Sequence, residues 1–183
     1  MNQLKTNTHS PYRRGADFGV YFGLYLTALF FASAFSISAP LLSFLSLVLI
    51  AGVPFVIYFM LRSSYRKDYC KTLFSSLWME GIAIFFFGGL IASFVSVVYM
   101  RWINPDFINT QVDTLIDLYR SIDWDRGHEM ADIFQRAREQ HLLPSAIQIT
   151  VDMLWLIVFS GSILSMLMAL LVQAANKSTQ KPI

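Results

Sequence analysis

Residues 72–101 of this 183-residue chain read TLFSSLWMEGIAIFFFGGLIASFVSVVYMR, and this stretch decides the fold. Gly81 to Met100 supplies about twenty consecutive uncharged and mostly apolar residues, the length that an α-helix needs to cross the hydrocarbon core of a bilayer. We therefore expect a membrane-spanning helix here. The stretch also contains Glu80, one of two carboxylates that lie well inside the apolar segments.

The composition agrees with a membrane protein. Hydrophobic residues make up 55% of the chain and charged residues only 14%, whereas soluble proteins carry roughly a quarter charged residues. The apolar residues are clustered into long runs. The single cysteine, Cys70, excludes an internal disulfide and a cysteine metal cluster.

Four such runs predict an all-α fold: a four-helix transmembrane bundle with a two-helix amphipathic extramembrane insert between helices 3 and 4. Phe18–Ser38 with its basic leader also resembles a cleaved signal peptide. It is longer than a signal h-region, however, and Pro40 would directly follow the cut site, so we expect a retained span. We expect one membrane domain, residues 1–183, with spans at about 17–38, 41–62, 72–101 and 146–173 and a helical hairpin at about 104–143.

The second span contains Pro54, whose ring leaves the carbonyl of Ile50 without its usual donor. A kink is expected there. Such kinks occur in transporters, but they are common in other membrane helices as well.

The orientation follows from the bias of lysine and arginine toward the cytoplasmic side of short loops. Bases concentrate in the N-terminal tail, the 62–71 loop and the C-terminal tail, so both termini are expected in the cytoplasm and the acidic 102–145 loop in the periplasm. The bases on the predicted cytoplasmic side are Lys5, Arg13, Arg14, Arg62, Arg66, Lys67, Lys71, Lys177 and Lys181.

Small residues recur every four positions on three of the four spans, a pattern that lets helix backbones approach closely in lipid. From their depth we expect helix 1 to pack against helix 4 near the cytoplasm and against helix 3 near the periplasm; homodimerisation through one stripe is the alternative. The stripes are Gly15, Gly19, Gly23, then Ala28, Ala32, Ser36 on helix 1; Gly88, Ala92, Ser96 on helix 3; and Gly161, Ser165, Ala169 on helix 4.

The acidic loop predicts two amphipathic helices. Asn104 followed by Pro105 is typical of a helix start, with an N-cap side chain and proline in the first turn. Their apolar faces could cap the bundle or rest in the lipid interface with Trp102 and Trp124 as anchors, or their acidic faces could dock a partner. The apolar faces predicted are Ile108, Val112, Leu115, Tyr119, Ile122 on the first helix and Met130, Ile133, Phe134, Ala137 on the second.

Glu80 and Asp152 are candidate functional residues because an unpaired charge in a span is unfavourable, and Asp17 is a third candidate near the start of helix 1. Glu80 and Asp152 each leave about twenty uncharged residues beyond them, so both could also lie at the membrane edge. Two interpretations remain open. Either one carboxylate faces a wet cavity and moves protons or cations, or Glu80 pairs with Arg62 or Arg14 and Asp152 pairs with Arg101.

The glycine pattern GADFGVYFGLYL, the four spans and a polar helical insert that begins INPDF resemble the DUF4199 family of small Bacteroidetes membrane proteins. The resemblance covers nearly the whole chain and implies a bacterial inner membrane. It carries no activity and no catalytic residues to this sequence.

The sequence holds no catalytic constellation at usable spacing, and His128, Glu129, Asp132 and His141 do not have the spacing of a zinc site. We expect no catalytic, metal or cofactor-binding residue and no nucleic-acid partner. The first hypothesis is a noncatalytic scaffold or accessory subunit in contact with lipid and a membrane-protein partner or a second copy. The second is a small transporter or channel-like protein that uses Glu80 or Asp152; an intramembrane enzyme is the weakest.

Overall fold

The fold was obtained as a computed structural model, which describes residues 10–36, 39–68, 72–121, 125–140 and 142–177. Within them six α-helices and no strand occur, and the all-α prediction is confirmed. They are α1 (Pro11–Ala34), α2 (Pro40–Lys67), α3 (Phe74–Val98), α4 (Phe107–Ser121), α5 (Asp125–Glu139) and α6 (Ala146–Lys177), with a π-helical turn at Tyr99–Ile103. The predictions at Lys5, Cys70, Lys71, Ile122, Trp124, His141, Lys181 and the Lys177 side chain lie outside what is described.

Four helical segments are long and apolar enough to cross a membrane: Pro11–Ala34, Leu41–Lys67, Phe74–Ile103 and Ala146–Ala175. The chain divides into two compact units. One, called the bundle unit below, comprises Met1–Ser93 with Met153–Ile183; the other, called the hairpin unit, comprises Phe94–Asp152.

Local sequence explains where α1 and α6 begin. Pro11 opens α1, where its missing N–H has no partner to lose, and the Ser10 side chain accepts a hydrogen bond from the Arg13 amide. At α6 the Ser145 hydroxyl accepts from the Gln148 amide, while the Gln148 side chain accepts from the Ser145 amide. This reciprocal capping box fixes the start of α6 just after Pro144.

Helix α3 is the most buried of the four spans, with 44% of its apolar window buried against 11% for α2. Helix α1 lies along it in the same direction. A Cβ added at Gly15 would meet Ala83, one at Gly19 would meet Phe87, and one at Gly23 would meet Ile91. The three contacts advance by four residues on both helices at each step, so the two backbones form one continuous close seam. Its residues on α3 are Ala83, Phe87 and Ile91.

Helix α6 runs antiparallel to α3. A Cβ at Gly81 would overlap Ser165, and one at Gly161 would overlap the ring of Phe85. The indole of Trp78 donates to the backbone oxygen of Ser162 at 3.0 Å. Gly161 of α6 therefore leaves space for the Phe85 ring of α3, and Gly81 of α3 leaves space for Ser165 of α6.

The predicted partner of the helix 1 glycines is wrong. The atoms nearest to a Cβ at Gly15, Gly19 or Gly23 all belong to α3 and none to the fourth span. Gly88 completes the seam from the other side, because a Cβ there would meet Phe22 and the Gly23 amide. Of the remaining stripe residues Ala32, Ala92, Ser96 and Ala169 are buried, while Ala28 is exposed.

Helix α2 packs on α1. The hydroxyl of Tyr25 donates to the Leu49 carbonyl oxygen, and Gly52 leaves the space that this hydroxyl occupies. Pro54 lies inside α2, which continues on both sides of it. The kink expected at that position stays a prediction.

In the hairpin unit α4 and α5 are antiparallel around buried Val112, Ile116 and Ala131, with the Tyr119 and Phe134 rings stacked at 5.9 Å. Met130 and Ile133, two residues of the predicted apolar face of α5, are exposed, and the small Ala131 takes the central position between the two helices. Whether that face caps the bundle or rests in lipid stays a prediction.

The start of α4 also differs from the prediction. The helix begins at Phe107, three residues after Asn104, whose carbonyl oxygen accepts from the Phe107 amide at 3.1 Å in the turn before the helix. The Asn104 amide donates to the Tyr99 carbonyl at 2.8 Å and closes the π-helical turn, while its side chain donates to the Tyr99 hydroxyl at 3.4 Å. The turn that ends the third span thus uses the residue that the sequence pattern assigned to the helix start.

The seam predicts that Gly19→Leu destabilises the protein, because the new side chain would meet the Phe87 Cβ and, just beyond it, backbone atoms of Ile84 and Gly88 that cannot rotate away. Overpacking of this kind lowers the free energy of unfolding by about 1–3 kcal/mol. Thermal unfolding of the detergent-solubilised protein measures the effect.

Ala28→Leu is the matched control, since Ala28 lies on the same helix but is exposed. Its melting temperature should stay at the wild-type value. Equal melting temperatures for Gly19→Leu and Ala28→Leu would contradict the seam.

Candidate functional site

Glu80 is the most deeply buried charged side chain of the bundle unit, with an exposed fraction of 0%. It lies two turns into α3. Its Oε1 accepts a hydrogen bond from the hydroxyl of Ser64 on α2, and its Oε2 lies 3.7 Å from the Nε of Arg14 on α1. One carboxylate thus contacts two other helices.

Arg14 also contacts a second carboxylate. Its Nη1 donates to the Oδ2 of Asp68 at 2.7 Å, and the same oxygen accepts from the Thr72 hydroxyl at 2.9 Å. Asp68 follows the last residue of α2, and Thr72 precedes α3. Arg14 is therefore shared by Asp68 and Glu80, and only 13% of its side chain is exposed.

A further hydrogen bond extends this network to α6: the side-chain amide of Gln173 donates to the Thr72 carbonyl at 3.2 Å. The polar contacts therefore join the start of α1, the end of α2, the start of α3 and the last turns of α6. We call Arg14, Ser64, Asp68, Thr72 and Glu80 the Glu80 cluster, and the end of the bundle unit that holds it the basic end.

Some polar atoms near the cluster have no hydrogen-bond partner in the described part of the chain. They include the Nε of Arg14 and the Oε2 of Glu80, which face each other at a distance longer than a hydrogen bond, and the buried hydroxyl of Ser165. Because this distance is 3.7 Å, the contact between Arg14 and Glu80 is electrostatic and not a direct hydrogen bond. Both atoms are exceptions to the rule that buried polar atoms have a hydrogen-bond partner.

The structure brings Glu80 to Arg14 and not to Arg62, the other base named as a partner. Arg62 instead places its guanidinium carbon 5.8 Å from the centre of the Tyr58 ring. Lys67 lies over the Phe18 ring at 5.7 Å. Both are cation–π contacts. The contact of Arg62 lies within α2, and the contact of Lys67 joins α2 to α1.

Asp152 and Arg101 are not brought together. Both side chains are exposed, and neither forms an ion pair with another described residue. Arg101 lies in the π-helical turn, next to the exposed Trp102. Asp152 lines an open groove of about 500 Å³ whose other walls are mostly apolar, such as Leu143 and Val151. Asp17 is exposed on α1.

The hairpin unit carries a larger groove, of about 960 Å³, between α4 and α5. Two polar contacts bridge the helices there: Arg138 to Asp113, and Arg120 to the Gln135 side chain. We call it the hairpin groove. It is lined by Asn109, Asp113, Ile116, Asp117, Arg120, Gln135, Arg138, Glu139 and Leu143.

Sequence reasoning missed Ser64, Asp68 and Thr72. Asp68 carried a signal, since it is the single acid in a loop of four bases. Ser64 and Thr72 carried none, because serine and threonine at the ends of spans are ordinary.

The Glu80 cluster can hold charge and connect helices through two carboxylates, two hydroxyls and one arginine. It has no histidine or cysteine, and its two carboxylates share one arginine. Among the described residues no three histidine, cysteine, aspartate or glutamate side chains are grouped to hold a metal ion.

The class of protein follows from these features: it is a small α-helical membrane protein. It has four apolar spans, a buried polar cluster that joins them, and two further helices between the third and the fourth span. The model of the family described as "Protein of unknown function (DUF4199)" matches residues 17–174. The chain therefore belongs to the DUF4199 family, and the resemblance seen in the sequence is confirmed. Comparison with curated proteins and with solved structures finds no match.

The cluster predicts that Arg14→Gln strongly destabilises the protein, because it leaves Glu80 and Asp68 without their shared positive charge. Removing one partner of a buried ion pair lowers the free energy of unfolding by about 3 kcal/mol or more. Thermal unfolding in detergent would register this as a large drop in melting temperature.

Arg13→Gln provides the matched control: Arg13 is the preceding residue on the same helix, is exposed and forms no ion pair with a described residue. It should melt like the wild type. A melting temperature for Arg14→Gln equal to that of Arg13→Gln would show that the cluster has no structural role.

Proposed function

We propose that this protein is a noncatalytic accessory subunit or scaffold of the bacterial inner membrane, with both termini in the cytoplasm and residues 102–145 in the periplasm. The orientation is supported by the concentration of bases at the basic end. The bundle unit contains nine lysines and arginines and three acids, and the hairpin unit contains five arginines and nine acids. The larger number of lysines and arginines on the proposed cytoplasmic side agrees with the positive-inside rule.

The observation that carries the accessory role is the closure of the bundle unit around Glu80. The carboxylate is fully buried, its contacts are Arg14 and Ser64, and the seam beside it leaves no space for one extra carbon at Gly15. A carboxylate that conducts a cation needs exchange with water, and these contacts favour a structural role.

The hairpin groove supports a docking role for the hairpin unit. Of its acids Asp113 is paired with Arg138, Glu139 accepts only from the neutral Gln135 amide, and Asp117 has no ion pair with a described residue. A partner segment with a basic side chain would find two carboxylates there without a salt bridge.

The alternative is a small transporter that uses Glu80. It is favoured by one observation, the missing hydrogen-bond partners of the Glu80 Oε2 and the Arg14 Nε, since a mobile proton or water could satisfy both. The accessory role needs no such exchange.

Native mass spectrometry of the protein, extracted gently from its own membrane at natural expression level, tests the proposal. We expect a stable complex with a second membrane protein. The Asp117→Asn/Glu139→Gln variant should lose that partner, whereas Asp106→Asn/Glu129→Gln removes two acids that do not line the groove and should keep it.

A lone monomer or homo-oligomer would contradict the accessory role. The transporter would then be supported if proteoliposomes containing the wild type dissipate an imposed pH gradient while those containing Glu80→Gln do not.

A further inference from the structure

The basic end carries positive charge that the described acids of the bundle unit do not neutralise. Two of the three acids of the bundle unit, Asp68 and Glu80, are occupied by Arg14. The third, Asp17, is exposed on α1 and pairs with no described base. The bases that form no ion pair with any described residue include Arg13, Arg62, Arg66 and Lys67.

Two of these bases continue an apolar stripe. Phe55, Phe59, Arg62 and Arg66 follow one another at spacings of four, three and four residues on α2, so they share one face of the helix. Phe55 is 67% exposed and Phe59 is 62% exposed. The stripe therefore changes from aromatic to cationic within two turns.

The length of the stripe also matches the length of one lipid leaflet. From Phe55 to Arg66 the helix rises by about 16 Å, close to half the thickness of a bilayer hydrocarbon core. The Arg62 guanidinium lies over the Tyr58 ring, and the exposed Arg66 follows one turn further along α2. Two guanidinium groups one turn apart can clamp a phosphate through charge-assisted hydrogen bonds.

We propose that this face of α2 is a binding site for an anionic phospholipid, with the phosphate on Arg62 and Arg66 and an acyl chain along Phe55 and Phe59. The exposed aromatic rings decide between possible occupants. A soluble phosphate would gain nothing from them, whereas an acyl chain extends from the phosphate directly onto them. The site would stand whether or not the hairpin groove binds a partner.

The test is native mass spectrometry of the purified full-length protein titrated with phosphatidylglycerol or with phosphatidylcholine of the same acyl chains. We expect preferential retention of phosphatidylglycerol. Each base near an anionic surface contributes about fivefold to such binding. Arg66→Gln should therefore reduce the preference about fivefold, and Arg62→Gln/Arg66→Gln should abolish it.

Arg101→Gln/Arg136→Gln is the charge-matched control, because both arginines are exposed and belong to the hairpin unit. It should keep the preference. Arg66→Gln decides the matter if the double variant does not fold, since Arg66 is exposed and makes no ion pair with a described residue. Equal retention of the two lipids, an unchanged preference in Arg66→Gln, or displacement of phosphatidylglycerol by inorganic phosphate would overturn the proposal.

Discussion

The contact between Arg14 and Glu80 is the constraint on which the bundle unit depends. A carboxylate with no exposed surface needs a positive charge nearby, and here that charge comes from the first turn of another helix. The adjacent residue, Gly15, makes the approach possible, because a Cβ there would collide with Ala83 and contact the Glu80 carbonyl. Charge and backbone proximity thus fix the same register of α1 on α3.

Much of this arrangement could be predicted from the sequence, because the signals were local. Four apolar runs predicted the four spans, and the burial cost of Glu80 predicted a basic partner, with Arg62 and Arg14 as the two candidates. What the sequence did not contain was the identity of packing partners. Gly15, Gly19 and Gly23 show a helix face that allows close approach, but any helix with small residues at suitable depth fits the pattern. The actual seam uses Phe87 and Ile91, whose size concealed their role.

The contact between the two helices of the hairpin unit was likewise not evident from the sequence. Met130 and Ile133 are the more apolar residues of α5, yet the two helices approach closely at the small Ala131, which a hydrophobic pattern ranks low. Asn104 was assigned to a helix cap because Asn-Pro is a local signal, but a turn separates it from α4, which begins three residues later at Phe107. Backbone geometry of this kind is not encoded in residue type alone.

The most direct test of the account is a double-mutant cycle on Arg14 and Glu80, with the free energy of unfolding measured reversibly by steric trapping in bicelles. If the pair holds α1 on α3, Arg14→Gln will destabilise the wild type more than it destabilises Glu80→Gln, with a coupling of at least about 1 kcal/mol. Effects of the two substitutions that add within about 0.5 kcal/mol would contradict the claim that this contact organises the bundle unit.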